Sequence, residues 1–211
     1  IQDSHENTFD TQDESDPVIE DLEVTLAALR EELHVRAENS GSIVGPVVFG
    51  DDGDRVDCAK LGKGGYSVPS IVEPEYLEIR RCTADFLLLV EKGTQWNRLS
   101  EDKFWRRYNC VLLIGNGQPP RGVRRLARRL HEEHKLPVYV LVDNDPWGYY
   151  IYSVIKQGSI NLAFESQRMA IPKAKFIGLS SADPERYELP RNVGIKLNEK
   201  DIARAKELMN Y

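Results

Sequence analysis

Four short runs constrain the fold of this chain more than anything else in its sequence: DFLLLV (85–90), CVLLIG (110–115), PVYVLV (137–142) and KFIGL (175–179). Each is almost wholly apolar. Strands that bury both faces look like this, and they are typical of parallel sheets covered by helices, whereas a strand with one wet face alternates. Between the runs lie helical patterns, at about 95–107, 119–134 and 146–157. Strands alternating with helices imply right-handed crossovers and an α/β, doubly wound sheet. The end, LNEKDIARAKELMNY, predicts one more helix with Asn198 as its cap.

Upstream of residue 80 the pattern is different. Residues 1–15 are polar and acidic, a solvated lead-in. Asp16-Pro17 has the form of a helix start, with Asp as N-cap and Pro first in the helix. Val18, Ile19, Leu22, Leu26, Leu29 and Leu33 recur at three- and four-residue spacing, which predicts an amphipathic helix to about residue 34. Over 40–70, β-branched runs are broken by Gly and Asp-Gly, which predicts a small antiparallel β element with a hairpin at Asp51-Asp52-Gly53. The expected organisation is a lead-in over 1–15, a helix and β element over 16–80, and the α/β domain with its following helix over 81–211.

A chain of 211 residues that is 41% hydrophobic can bury a sizeable core. No stretch approaches the roughly 18 uninterrupted apolar residues of a membrane span, so no membrane association is expected. The acidic N-terminus is the opposite of a signal peptide. Cys58, Cys82 and Cys110 are widely spaced and form no CxxC pair, so they read as free thiols rather than a disulfide frame or zinc site. A net charge of −6 argues against a protein that coats DNA with its whole surface, although local charge can depart from the average.

In an open parallel sheet, ligands bind at the carboxyl ends of the strands. Three of those ends are polar here: Glu91-Lys92, Gly115-Asn116-Gly117-Gln118 and Asp143-Asn144-Asp145. Residues i and i+2 of an extended segment project to one side, so Asp143 and Asp145 can aim at one point and Glu91 can complete a triad. Hard oxygen ligands that leave room for water and phosphate suit Mg²⁺, and a cation relieves the repulsion among the acids. The plainer reading is that the aspartates cap a helix beginning at Pro146 and that Glu91 pairs with Lys92 or an arginine. Spacing alone leaves both open, though a cap needs only one aspartate. Gly115 and Gly117 are weak evidence for a phosphate cradle, because a GxG after a strand more often only makes a tight turn.

Arg121, Arg124, Arg125 and Arg128 share one face of the predicted helix in RGVRRLARRLH (121–131), with Arg129 close by. They form either a surface that tracks DNA phosphates or a solvated face paired to Glu132, Glu133 or the acidic lead-in. Tyr149, Tyr150 and Tyr152 follow the aspartates closely. A nucleophilic tyrosine needs a base or metal to ionise its phenol, but helical spacing beside Ile151 and Val154 makes packing the expected role. Trp105 and Trp147 read as packing anchors. His5, His34, His131 and His134 read as surface polar residues.

VEKGTQWNRL (90–99), FWRRYNCVLLIGNGQPPRGVRRLARRLHEE (104–133) and LPVYVLVDNDPWGYYIYS (136–153) resemble the Toprim domain of the archaeal topoisomerase VI A-subunit family and its meiotic double-strand-break relatives. SDPVIEDLEVTLAALREELHV (15–35) and the 40–70 segment also look like that family. The ordered set of Glu, GxGQP and DxDPWG at successive strand ends is far more specific than any one motif. The resemblance implies a Toprim fold, Rossmann-like and mostly parallel. It implies a type IIB topoisomerase that binds double-stranded DNA through an A-subunit homodimer and cuts it through phosphotyrosine links. An ATPase B subunit completes the A2B2 complex. Carried over residue by residue, Glu91, Asp143 and Asp145 would hold Mg²⁺, with Glu91 alternatively a general acid/base; the expected location is the cytoplasm, on the nucleoid.

In that family the nucleophilic tyrosine lies on a winged-helix domain preceding the segment that matches residue 1, and no tyrosine here fits its motif. The expectation is therefore a Toprim-centred piece of a longer protein, inactive alone in covalent cleavage. Three other readings remain: a tyrosine-independent Toprim nuclease or primase-like enzyme, a non-catalytic DNA-binding or dimerisation module, and a DxD phosphatase or sugar transferase. Pro146-Trp147 on the third strand fits the last of these poorly.

Overall fold

The computed structural model describes residues 9, 11–30, 32–158, 166 and 168–210. The chain divides at Ala37 into a first unit ending there and a second beginning at Glu38. Most of the acidic lead-in, including His5, lies outside the described residues.

In the first unit, helix α1 spans Gln12–Leu26 with Thr11 as N-cap, so it starts upstream of the predicted Asp16. Pro17 sits inside it, where the missing N–H leaves one i→i−4 bond unmade. The helix also stops earlier than its apolar spacing predicts, at Ala27 in the left-handed region (φ 49°). The physical reason is Glu23, which is 2% exposed. Its carboxylate accepts the Arg30 backbone N–H at 2.7 Å and the Arg30 guanidinium at 3.0 and 3.1 Å, which folds the chain back over the last turn.

The second unit holds two sheets. Strands β2 (Val47–Asp51), β3 (Asp54–Asp57) and β5 (Leu77–Cys82) form the smaller one, antiparallel, in the order β3-β2-β5. The expected hairpin is there: Asp51 pairs with Asp54, and Asp52 (φ 47°) and Gly53 (φ 86°) both take the left-handed conformation of a type I′ turn. The larger sheet runs β4-β1-β7-β6-β8-β9. In it β6 (Phe86–Val90), β7 (Cys110–Ile114), β8 (Val138–Leu141) and β9 (Lys175–Phe176) are mutually parallel. Strands β1 (Ser42–Val44) and β4 (Tyr66–Ser67) add an antiparallel edge.

Side-chain alternation explains the apolar runs. Leu87, Leu89, Val111 and Leu113 enter the larger core cluster, while Leu88, Val90, Cys110, Leu112 and Ile114 enter a second one. Both faces of the central strands are dry, as predicted. Two of the covering helices, α4 (Arg121–His134) and α5 (Pro146–Gln157), fall where the sequence places them. The helix expected over 95–107 is instead two, α2 (Gly93–Glu101) and α3 (Phe104–Arg107), broken at Lys103 (φ 51°). Trp96 and Trp105 lie about two and a half helical turns apart, so one straight helix would point them in opposite directions. The break lets both pack into the second core cluster. After the short α6 (Asp183–Arg186), α7 (Glu199–Leu208) begins at the expected Asn198, in a reciprocal capping box with Asp201. Among the described residues no helix is long and apolar enough to cross a membrane.

Candidate metal centre at the strand ends

Strand register sets the site. Val90 pairs with Ile114 on one side and Leu141 on the other, so the three central strands end level with one another. Glu91, the GNGQPP turn and the Asp143–Asp145 loop therefore emerge side by side. They are stitched together by backbone: Glu91 N–H donates to Leu141 O at 3.0 Å, and Gly117 N–H donates to Glu91 O at 3.0 Å. Gly148 has no room for a side chain, because a Cβ there would stand 2.2 Å from the Asp143 carbonyl oxygen. The first turn of α5 is thus pressed against the aspartate loop.

The Glu91 carboxylate accepts the Asp143 backbone N–H at 3.0 Å. Burial pushes its proton affinity up, and the charges of Asp143 and Asp145 push the same way. Asp143 accepts Lys92 Nζ at 3.1 Å on one oxygen and Gln95 Nε2 at 3.2 Å on the other. Asp145 is the N-cap of α5, its carboxylate accepting the Gly148 N–H at 2.7 Å. Strand β8 ends at Leu141, before the aspartates, so strand alternation no longer governs where they point. Among the described residues no three acidic, His or Cys side chains are gathered into a ready-made metal cage. The donor chemistry nevertheless fits a hard cation: three carboxylates share one field, and an exposed lysine supplies the answering charge. Lys92 and Gln95 are the members of this group that sequence reading left without their role. Their partner lies about fifty residues away, and the visible signal was only their i, i+3 spacing just past Glu91.

The arginine face of α4 is more enclosed than its sequence suggests. Arg125 makes a two-pronged pair with Glu73, at 2.8 and 2.9 Å. Arg128 pairs with Glu132 at 2.6 Å and donates to the Ala170 carbonyl. Arg129, 3% exposed, donates to the carbonyls of Val72 and Leu77 and pairs with Glu133. Arg124 is 6% exposed; its Nε is buried without a hydrogen-bond partner, and burial together with neighbouring Arg121 lowers its pKa to about 10.

The tyrosines beside the aspartates are engaged in packing. Tyr149 stacks on Phe176 with ring centroids 5.2 Å apart, and the Tyr152 hydroxyl donates to Ala174 O at 3.0 Å. Tyr150 and Trp147 lie under the Arg204 guanidinium, at 4.3 and 4.6 Å. Trp147 is not a core anchor: it is 39% exposed and its indole N–H donates to Asp201 on α7. Trp105 is buried as expected.

A mostly parallel sheet flanked by helices, with Glu after one central strand and Asp-x-Asp after its neighbour, defines a Toprim-class α/β domain. The family of topoisomerase 6 A-subunit/Spo11 Toprim domains matches residues 86–211. The all-beta domain of the DNA topoisomerase VI alpha chain matches 37–83, and the type IIB DNA topoisomerase family matches 4–35. The chain belongs to the topoisomerase 6 A-subunit/Spo11 family. It is 45% identical over 215 residues to the type 2 DNA topoisomerase 6 A-subunit of Aeropyrum pernix, covering 98% of this chain and 55% of the relative. For the protein of the same name in Pyrococcus horikoshii the values are 47% over 194 residues, covering 92% and 50%. The DNA topoisomerase 6 A-subunit of Arabidopsis thaliana is 36% identical over 201 residues, covering 95% and 47%. The chain thus spans about half the length of the curated relatives it matches.

Proposed function

We propose that this chain is the Toprim-bearing core of the DNA-cleaving subunit of a type IIB topoisomerase, with Mg²⁺ held by Glu91, Asp143 and Asp145. It binds duplex DNA as a homodimer and works with an ATPase B subunit, in contact with the chromosome. The observation that carries this reading is the junction of β6 and β8. There Glu91 accepts the Asp143 N–H, with Asp145 two residues on, in a chain close to proteins named for that activity.

In this chemistry a tyrosine oxygen bonds to phosphorus while the 3′ oxygen of the broken strand leaves, and resealing runs the same exchange backwards. Glu91, Asp143 and Asp145 would hold a divalent cation, which when bound would stabilise charge on the phosphate and the leaving oxygen. The chain's own residues supply position. Level strand ends put the loops that carry the acids on one edge of the sheet, Glu91 ties two of these loops through the Asp143 N–H, and Gly148 lets α5 close on the aspartate loop. Tyr149, Tyr150 and Tyr152 are not the nucleophile in this reading, since stacking, a hydrogen bond and the Arg204 contact already engage them. The phosphate-tracking role of Arg121, Arg124, Arg125 and Arg128 competes with partners inside the fold: Arg125 and Arg128 already pair with carboxylates, and Arg124 is 6% exposed.

Calorimetry tests the metal directly: Mg²⁺ binding by this chain is expected, and is expected to vanish when Asp143 and Asp145 both become Ala. Binding that survives both changes rejects the site. Incubating the chain with supercoiled DNA, Mg²⁺ and a B subunit is expected to trap no covalent adduct. An adduct on Tyr149 or Tyr150 would overturn the packing assignment.

A further inference from the structure

Lys92 is the one cation among the described residues that pairs with any of the three acids. Its ammonium lies 3.1 Å from one oxygen of Asp143, and the Gln95 amide donates to the other, so both oxygens of that carboxylate are engaged. One oxygen of Asp145 is taken by the Gly148 N–H and one of Glu91 by the Asp143 N–H. A cation entering this edge therefore meets no vacant bidentate carboxylate at Asp143. The two partners of Asp143 are not equally fixed. Gln95 is half-buried on α2, whereas the Lys92 side chain is 57% exposed on a flexible stem and can swing into solvent.

We propose that Lys92 is a resident counter-ion of the acidic edge: its ammonium holds Asp143 in place and a divalent cation must displace it to bind. This rests on the metal reading above. It gives Lys92 a defined role as a positioning residue. Three carboxylates in one field repel one another, and burial adds to the cost at Glu91. A tethered monovalent charge relieves that repulsion while no metal is bound. It also weakens metal affinity, because the incoming ion must break the Lys92–Asp143 pair and, once it has done so, shares the edge with a like charge. The lysine thus favours exchange of the metal over tight retention.

The test is calorimetric titration of Mg²⁺ alone into this chain at low ionic strength, for wild type and the variants Lys92→Met, Lys92→Arg, Lys63→Met and Asp143→Asn. Lys92→Met is expected to bind about five-fold more tightly, the upper end of what an exposed ion pair is worth. Lys92→Arg keeps the charge and is expected to match wild type. Lys63 is similarly exposed and pairs with Glu101 away from the edge, so its loss is expected to leave affinity unchanged. Because the pair is exposed, the gap between wild type and Lys92→Met should shrink as salt rises.

Equal or weaker binding by Lys92→Met overturns the proposal, and so does an equal gain in Lys63→Met. If wild type binds too weakly to measure, Lys92→Met must bring binding into range or the proposal falls. Failure of the metal reading looks different: Asp143→Asn would then bind as well as wild type.

Discussion

Glu73 shows how much one carboxylate organises in this fold. It takes both prongs of Arg125 and a further contact from Arg168 at 3.2 Å. The hydrogen bond from the Arg125 guanidinium holds the Glu73 carboxyl below its usual range, against the opposing effect of burial. A depressed carboxylate contributes stability that is fully present above its unfolded pKa and is lost as pH falls through the folded one. Glu73→Gln is therefore expected to cost about 2 kcal/mol at neutral pH. The gap should close in acid, where wild type loses the same interaction. Urea unfolding followed by circular dichroism at neutral and acid pH checks this, and a gap independent of pH would disprove it. Gly148→Ala is a second case at this scale. A Cβ 2.2 Å from the Asp143 carbonyl must move backbone, so a loss of about 2 kcal/mol or more is expected, together with weaker Mg²⁺ binding. An alanine variant as stable as wild type would mean that the loop yields freely.

Helix α4 carries the same residue type in opposite roles. Arg129 satisfies two buried backbone carbonyls and pairs with Glu133, so Arg129→Met is expected to cost about 3 kcal/mol by leaving those acceptors unpaired. Arg124 is just as enclosed, but its Nε has no partner, so Arg124→Met is expected to be neutral or stabilising by about 1 kcal/mol. Thermal melts should fall for Arg129→Met and hold or rise for Arg124→Met, and parallel losses would refute the distinction. Spacing in RGVRRLARRLH sets Arg129 apart from the face of Arg121, Arg124, Arg125 and Arg128 and carries the i, i+4 pairs with Glu132 and Glu133. The other partners, Val72, Leu77, Glu73 and Ala170, arrive from elsewhere in the fold, and a helical wheel does not know them. What periodicity does carry was readable: both-face burial of β6 and β7 and the span of α5 follow from local composition. Breaks and edges were not. The left-handed Lys103 answers to the direction of two tryptophans, and the pairing of β1 and β4 with the parallel strands is a long-range choice. At the site, the order of acids along the chain was legible, while the Lys92–Asp143 pair was not, because proximity in sequence had suggested Glu91 as its partner.

The larger core cluster of the second unit crosses sheet boundaries. Val47, Phe49, Cys58 and Leu77 from the small-sheet region share it with Leu87, Leu89, Val111 and Leu113 of the parallel strands. Cys110 lies in the other cluster, across the parallel sheet. If one sheet separates the two clusters and the small sheet is built into the first, the unit has no layer that can melt alone. The two thiols report on this from opposite faces. Each is 0% exposed, and burial pushes each up to about 12, with Asp57 and Cys82 adding to the shift at Cys58. At pH 8 the thiolate is then roughly one part in ten thousand of either native thiol, so reaction with a thiol reagent requires opening of the surrounding core. Cys82, partly exposed, serves as an internal control that labels first. Labelling across a urea series, with the modified peptides identified by mass, is expected to give one midpoint for Cys58 and Cys110, coincident with loss of circular dichroism. A lower midpoint for Cys58 would mean that the small sheet opens as its own unit. In that event the β-rich segment and the parallel sheet would be two foldons meeting at a shared core, rather than one cooperative body.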